Sequence, residues 1–170
     1  MDGTLAVIWL IVSLTEMYIS DCPTACLGQS EAQSRFYLQG SQVLFQEDDI
    51  GREIYAGFDA DRRFGPFQPT YGASITSEGD VWIGAGAKWT SERVLSGPFF
   101  FEASLMPGLF ARDGGPNIGG ALQFRSALGA GFNFDNGGTV SILFDHRSNA
   151  DTRSLNPGLE TFGIRFAIPF

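Results

Sequence analysis

Short segments in which polar and apolar residues alternate constrain this 170-residue chain more than any other feature. The clearest example lies within Thr139–Phe170. Val140, Ile142 and Phe144 fall on one face of an extended strand, because successive side chains point to opposite faces. The alternation resumes after a loop at 149–159 that is rich in Asn, Asp, Gly and Pro. The pattern predicts two antiparallel strands joined by this loop.

Eight such runs follow one another from Arg35 onwards, and no segment among them keeps a helical period. Their predicted bounds are Arg35–Phe45, Glu53–Ala60, Phe67–Thr76, Val81–Trp89, Pro98–Phe110, Ala121–Phe134, Thr139–Ser148 and Glu160–Phe170. The first run is ambiguous in its facing. The third contains Pro69, which is awkward in a central strand because it cannot donate to the ladder. Eight antiparallel strands make the smallest common outer-membrane barrel.

The distribution of apolar residues favours a transmembrane barrel over a soluble one. Apolar faces would meet lipid, while the small and polar residues opposite them would fill a narrow lumen. The chain has 16 Phe residues, several of them near strand ends, as in the aromatic girdles of membrane barrels. A soluble up-and-down barrel with an apolar interior is the alternative. With both termini in the periplasm, segments 61–66, 91–97 and 135–138 are predicted as periplasmic turns.

The first 32 residues are predicted to be a signal peptide, which leaves residues 33–170 as a single barrel domain. The apolar run Leu5–Leu14 is too short to span a bilayer and suits the central region of a secretory signal, although no Lys or Arg precedes it. Cleavage is predicted after Ala32. A lipoprotein signal ending at Cys26 is the alternative. Cys22 and Cys26 both precede Ala32, so the mature chain would need no disulfide.

The charge balance argues against a nucleic-acid partner. The chain carries 19 acidic and 11 basic residues, a formal net charge of −8. Four of the acidic residues and no basic ones lie in residues 1–32, so removal of this segment leaves 15 acidic against 11 basic residues, or −4. No basic patch is evident in the remaining chain.

His146, Ser148 and Glu160 supply the three residue types of a serine hydrolase: a base, a nucleophile and a carboxylate that orients the base. Residues two apart on a strand stand roughly 6.5 Å apart, within reach of a side-chain hydrogen bond. Glu160 would arrive from the neighbouring antiparallel strand. All three continue the apolar faces of their strands, so the group is predicted to open sideways to lipid at the outer rim. From spacing alone, such a grouping is more often a surface accident than a catalytic site.

The segment His146–Ala150, followed by Asn156–Glu160 and a strand ending in Phe170, resembles the lipid A 3-O-deacylases of the PagL type. The resemblance is close from about residue 120 onwards and faint before Pro98. In that family an eight-stranded outer-membrane barrel removes the ester-linked 3-hydroxyacyl chain of lipid A. The resemblance therefore implies a hydrolase of lipopolysaccharide in the bacterial outer membrane.

The resemblance also implies roles for individual residues. Ser148 matches the nucleophile, His146 the general base and Glu160 the residue that orients this base. Asn149 matches the position assigned to the oxyanion hole, where a hydrogen-bond donor stabilises the tetrahedral intermediate. Three Arg side chains are candidates for contact with the lipid A phosphates, with solvated loop charges as the alternative. They are Arg112, Arg147 and Arg153.

The partners implied are lipid A and outer-membrane lipid, with no cofactor and no metal ion. The sequence leaves open whether the protein forms a homodimer. Two other functions are also compatible with the sequence. One is a non-enzymatic outer-membrane barrel with a structural or adhesive role. The other is a barrel hydrolase that acts on a different lipid ester.

Overall fold

The computed structural model describes residues 3–170, and its centre is a closed antiparallel barrel of eight strands. The prediction of an all-β, eight-stranded barrel of the outer-membrane type is confirmed. The barrel strands are β2 (Arg35–Phe45), β3 (Asp48–Asp59), β5 (Gln68–Thr76), β6 (Val81–Thr90), β7 (Phe99–Ala111), β8 (Leu122–Asn133), β9 (Thr139–Ser148) and β10 (Leu159–Pro169). Neighbours in sequence pair, and β10 closes the barrel against β2.

Two short strands outside the barrel were not predicted. They are β1 (Gln29–Glu31) and β4 (Arg62–Phe64), which pair with each other in a separate two-stranded sheet. The predicted polar turn at 61–66 therefore contains a strand. The second run was predicted to begin at Glu53, but β3 begins at Asp48. Only Gln46 and Glu47, both at positive φ, form the tight turn between β2 and β3.

Burial along the strands shows which face is outside. In β2, Tyr37 and Gln39 are buried whereas Phe36 and Leu38 are exposed, which resolves the ambiguous facing of this strand. Even-numbered apolar residues of β10 are likewise exposed, and Phe166 reaches 61%. Exposed aromatic and aliphatic side chains on all sides of a closed barrel are what a lipid-facing wall requires.

The lumen is filled by side chains, and its charges are paired. Four basic and four acidic side chains are buried there: Lys88, Arg125, Arg147, Arg165, Glu53, Asp59, Glu102 and Asp145. Arg125 Nη2 lies 2.9 Å from Asp145 Oδ2, and Arg165 Nη1 lies 3.1 Å from Glu102 Oε2. Because charges removed from water are costly unless they are paired, this balance is what allows the barrel core to be polar.

Small residues on the inner face make room for large ones. A Cβ atom on Gly72 would collide with the ring of Tyr55, and one on Gly84 would collide with Trp82. Both of these aromatic residues are fully buried. The prediction that small inward residues suit a narrow lumen was therefore right, because these residues leave room inside the barrel. The occupants of that space, an aromatic and arginine-rich core, were not predicted.

An N-terminal helix lies against the outside of the barrel. Helix α1 (Thr4–Glu16) continues through a π-helical turn to Asp21 and contacts β7 and β8. The helical segment Thr4–Asp21 is long and apolar enough to cross a membrane by length and composition, as signal sequences also are. The apolar run Leu5–Leu14 lies inside this longer helical segment. A disulfide joins Cys22 to Cys26, which the sequence did not predict.

Candidate active site

His146 and Glu160 lie side by side on neighbouring strands. The register of β9 and β10 pairs these two residues directly, and His146 Nδ1 lies 3.1 Å from Glu160 Oε1. A carboxylate can only accept a hydrogen bond, so this contact assigns the proton to Nδ1 and leaves Nε2 as the basic nitrogen of a neutral ring. His146 is 4% exposed although other outward residues of β9, such as Ile142, are open to the surroundings.

Ser148 lies with His146 on the wall of one cavity of about 620 Å³. The cavity is bounded by β7, β8, β9 and the loop 149–158, and by the first turn of α1. Its remaining lining residues are Gly3, Ala6, Leu105, Phe124, Ser126, Ala150, Asp151, Asn156 and Pro157. Apolar residues therefore form one side of the cavity, next to a hydroxyl and an imidazole. This composition suits a substrate with an acyl chain beside a polar reacting group.

The cavity opens on the outside of the barrel wall. Ser141 and Asp145, which alternate with His146 and Ser148, point into the lumen. There Ser141 Oγ donates to Glu102, and Asp145 accepts from Gln39. His146 and Ser148 therefore lie on the outside of the barrel wall, the face that their residue parity predicts.

Asn149 holds the loop together instead of facing the cavity. Its Nδ2 donates to Gly119 O at 2.9 Å and Leu155 O at 2.7 Å, and its backbone N–H donates to Asn156 Oδ1 at 2.9 Å. All its N–H groups are thereby engaged. The prediction that Asn149 donates into the oxyanion hole is corrected on this point. Asn156, not Asn149, is the amide residue that lines the cavity.

The three candidate Arg residues separate into two environments. Arg147 points into the lumen, where its Nη2 lies 2.7 Å from Glu53 Oε2 and the residue is 2% exposed. This burial corrects the prediction that Arg147 contacts a lipid phosphate. Arg112 and Arg153 are exposed. They line small cavities on the two sides of the segment 119–121, whose Gly119 accepts the bond from Asn149.

Two residues at the site were missed by the sequence interpretation. Gly158 adopts a φ of +78°, and a Cβ atom there would lie 2.7 Å from Cε1 of His146. The loop can therefore pack against the imidazole only because residue 158 has no side chain. Ser126 lies opposite His146 in the register of β8 and β9. Ser126 occupies an outward-facing position of β8. This position, together with the pairing of β8 and β9, could have identified it as a neighbour of His146.

The fold defines this protein as a small membrane β-barrel of the outer-membrane type, with a hydrolase-like polar group on the outside of its wall. The family model described as lipid A 3-O-deacylase (PagL) matches residues 33–169. The chain belongs to this family.

Individual relatives are consistent with that membership. The lipid A deacylase PagL of Pseudomonas aeruginosa is 36% identical over 72 residues, which are 41% of this chain and 42% of that protein. The lipid A deacylase PagL of Bordetella bronchiseptica is 29% identical over 100 residues, covering 55% and 53% of the two chains. The matched segments thus span about half the length of these relatives.

A solved structure of similar fold supports the architecture. A crystal structure described as the outer-membrane enzyme PagL superimposes with a TM-score of 0.64 at 23% identity. The match covers 79% of this chain and 99% of that one. At this identity the likeness concerns the barrel itself.

Proposed function

We propose that this chain hydrolyses the ester that links the 3-O-acyl chain to lipid A, in the outer leaflet of the outer membrane. The observation that carries the proposal is the hydrogen bond of 3.1 Å between His146 and Glu160, on the lipid-facing wall beside Ser148, in a chain of this family. A titratable pair on a face otherwise made of hydrocarbon side chains is costly to keep without a function.

Ser148 is the proposed nucleophile. Its Oγ attacks the ester carbonyl carbon while Nε2 of His146 takes the hydroxyl proton, and Glu160 stabilises the imidazolium through Nδ1. The carbonyl oxygen becomes an oxyanion. Collapse of this intermediate breaks the ester bond, and His146 returns the proton to the departing sugar oxygen. Water then attacks the acyl-Ser148 ester by the same proton route and releases the fatty acid.

The oxyanion needs hydrogen-bond donors near Ser148, since hydrocarbon cannot solvate it. The amide of Asn156 lines the cavity and is the side chain we assign to this role, in place of Asn149. In the described structure its Nδ2 donates to Asp151 Oδ1 at 2.9 Å in an exposed contact. Asn156 is half-buried, and a rotation of its side chain away from Asp151 would redirect the donor to the substrate.

We further propose that residues 1–32 are a signal peptide and that residues 33–170 form the mature barrel. The match to the family model begins at residue 33, two residues before β2. Gly3 and Ala6 line the cavity beside His146 and Ser148, so removal of this segment would open the cavity to the outer leaflet. The acyl chains of the substrate could then remain in the membrane during the reaction.

Mass spectrometry of lipid A from cells that express this chain tests the proposed function. Cells with the wild-type chain should lose one ester-linked 3-hydroxyacyl chain per lipid A, and cells with Ser148→Ala should not. Loss of a secondary acyl chain instead would indicate a different lipid ester. Unchanged lipid A, despite a folded barrel in the outer membrane, would favour the non-enzymatic role.

A further inference from the structure

Arg93 and Trp89 lie at the end of the barrel that was predicted to face the periplasm, and both are bound by acidic residues of the segment 1–32. Arg93 donates to the two carboxylate oxygens of Asp21, from Nη1 at 3.1 Å and from Nη2 at 2.6 Å. Its Nη1 also lies 3.0 Å from Glu16 Oε1. The indole Nε1 of Trp89 donates to Glu16 Oε2 at 2.5 Å. Removal of this segment would take these carboxylates away.

Arg63 depends on the same segment. Its Nε donates to Ser30 Oγ of strand β1 at 2.9 Å. Arg93 keeps one partner in the barrel domain, because its Nη1 also donates to Gly65 O at 3.1 Å. Glu92, the neighbour of Arg93 in the chain, lies 3.2 Å from the guanidinium at the start of β2 and is therefore paired elsewhere. The mature barrel would thus present two guanidinium groups, one of them still held in place by a backbone carbonyl.

The wall next to these groups is apolar and is covered by helix α1. Trp89 pairs with Ala103 in the register of β6 and β7. Ala103 is 1% exposed, whereas Phe101 on the same outward face of β7 is 54% exposed. Because α1 contacts β7 and β8, its removal would uncover Trp89 and Ala103. Within a membrane, an outward apolar surface of this kind meets acyl chains.

The length of α1 indicates which leaflet supplies those chains. The helix has 13 residues, which is about 20 Å at a rise of roughly 1.5 Å per residue. One leaflet contributes about 15 Å, half of a hydrocarbon core of about 30 Å. The first turn of α1 lies at the cavity beside His146, and its last residue lies at Trp89 and Arg93. The surface near Trp89 is therefore at the depth of the periplasmic leaflet.

We propose that the mature barrel binds a glycerophospholipid of the periplasmic leaflet through Arg93, Arg63 and the indole N–H of Trp89. This inference rests on the proposed removal of the signal peptide. The carboxylates of Glu16 and Asp21 occupy the place of the lipid phosphate, since a guanidinium binds carboxylates and phosphates with the same paired geometry. The indole donates to the phosphate while its ring lies against an acyl chain, as Trp side chains do at membrane interfaces.

The test uses quenching of Trp89 fluorescence by bromine atoms on an acyl chain. The barrel is expressed from the full-length chain and purified from outer membranes in detergent, and its intact mass identifies the mature N-terminus. Loss of residues 1–32 removes Trp9, and Trp82 is fully buried in the lumen, so the quenching reports on Trp89. Brominated phosphatidylglycerol should reach half-maximal quenching at an about tenfold lower mole fraction than diacylglycerol with the same chains, as expected for hydrogen bonds to a charged group.

Three variants assign this preference to the two guanidinium groups. The double variant Arg63→Gln, Arg93→Gln should bring the half-maximal fractions of the two lipids close together. Arg93→Lys should retain part of the preference, because the charge remains without the paired geometry. Arg52→Gln is the matched control and should keep the wild-type preference, since Arg52 is exposed and pairs with Asp49 at the opposite end of the barrel.

Equal quenching by the two lipids with the wild-type barrel, or a preference that survives in the double variant, would overturn the phospholipid site. An intact mass that includes residues 1–32 would also overturn it, because Glu16 and Asp21 would then occupy the site. If the double variant lacks heat-modifiable migration, Arg93→Lys decides, and an unchanged preference in it contradicts the proposal. The measurement involves no ester hydrolysis, so a barrel that shows the preference but leaves lipid A intact would overturn the esterase alone.

Discussion

The lumen and the outer wall of this barrel both carry buried polar side chains, but the two sets differ in how they are satisfied. Inside, Asp145 accepts hydrogen bonds from Gln39 at 2.8 Å and Thr161 at 2.9 Å, and it forms an ion pair with Arg125 at 2.9 Å. Arg125 also stacks over Tyr55, with its guanidinium 3.7 Å from the ring centroid. Outside, the polar row is short and surrounded by apolar side chains. It consists of Ser126, His146, Ser148 and Glu160.

This difference suggests that the lumen residues determine the stability of the barrel and the outer row determines its activity. In the lumen each charge lies against an opposite charge, and removal of one partner leaves an unpaired charge in a dry interior. The outer row lies beside a cavity of about 620 Å³, where a substrate can replace solvent or lipid. We expect substitutions inside to lower the stability of the barrel and those outside to lower its activity.

The largest effect is expected for Ser148→Ala. Loss of the nucleophile should lower kcat by at least about 10⁴-fold, while heat-modifiable migration and β-sheet circular dichroism stay unchanged. Release of 3-hydroxy fatty acid from purified lipid A, followed by mass spectrometry, measures this. His146→Ala should behave in the same way. A Ser148→Ala barrel that retains near-normal turnover would exclude Ser148 as the nucleophile.

The second effect concerns the lumen and should appear as stability. Arg125→Met removes the partner of Asp145, and the free energy of unfolding should fall by about 3–5 kcal/mol in urea titrations of the barrel in lipid vesicles. The control is Arg52→Met, which breaks the exposed pair with Asp49 and should change the free energy by less than about 1 kcal/mol. Equal effects of the two substitutions would contradict the distinction between lumen and surface.

Much of this fold follows from the period-two pattern alone. The bounds of β9 were predicted to the residue, because hydrophobic alternation is sustained and the turn Asp135–Gly138 marks its start. The sheet of β1 and β4 was missed because three-residue strands with exposed side chains have no apolar face to reveal them. The lumen network was also missed, since the partner of a given Arg depends on barrel closure and not on local sequence.

The sequence predicted only part of the candidate site, because residue parity can be read from the sequence whereas contacts between loops cannot. Residue parity was sufficient to direct His146, Ser148 and Glu160 to the lipid side. The same parity rule would have placed Arg147 in the lumen, but it was grouped with Arg112 and Arg153 as a candidate for contact with lipid A phosphates. The position of Asn149 was taken from the resemblance, whereas its donors depend on contacts with Gly119 and Leu155 that only the folded loops create.

The third effect tests whether Glu160 acts through His146. Glu160→Gln keeps the size of the side chain but removes the charge that stabilises the imidazolium, so kcat should fall by about 10²–10³-fold with little change in KM. This loss should be smaller than that of Ser148→Ala, and the double variant should be no worse than Ser148→Ala alone. Multiplicative losses in the double variant would mean that Glu160 has a role independent of Ser148.

The smallest effect is expected at the outer rim, where Arg112 and Arg153 flank the segment 119–121. Asn149 bonds to this segment, so the two guanidinium groups lie on loops that are tied to the residue following Ser148. We propose that they contact lipid A phosphates. Exposed charge pairs are worth about 0.2–1 kcal/mol each, so the double substitution to Gln should raise KM about two- to thirtyfold and leave kcat unchanged.

The choice of substrate and of control variant distinguishes phosphate binding by Arg112 and Arg153 from an effect of net surface charge on KM. Because the contact is electrostatic and exposed, its effect on KM should disappear with a dephosphorylated lipid A and should weaken as the salt concentration rises. Arg62→Gln is the matched control, since Arg62 is exposed and pairs with Asp61 outside the barrel, away from the loops 112–121 and 149–158. An equal rise in KM for phosphorylated and dephosphorylated substrates would show that Arg112 and Arg153 shape the loops instead of binding phosphate. An equal rise with Arg62→Gln would mean that net charge, and not position, sets the affinity.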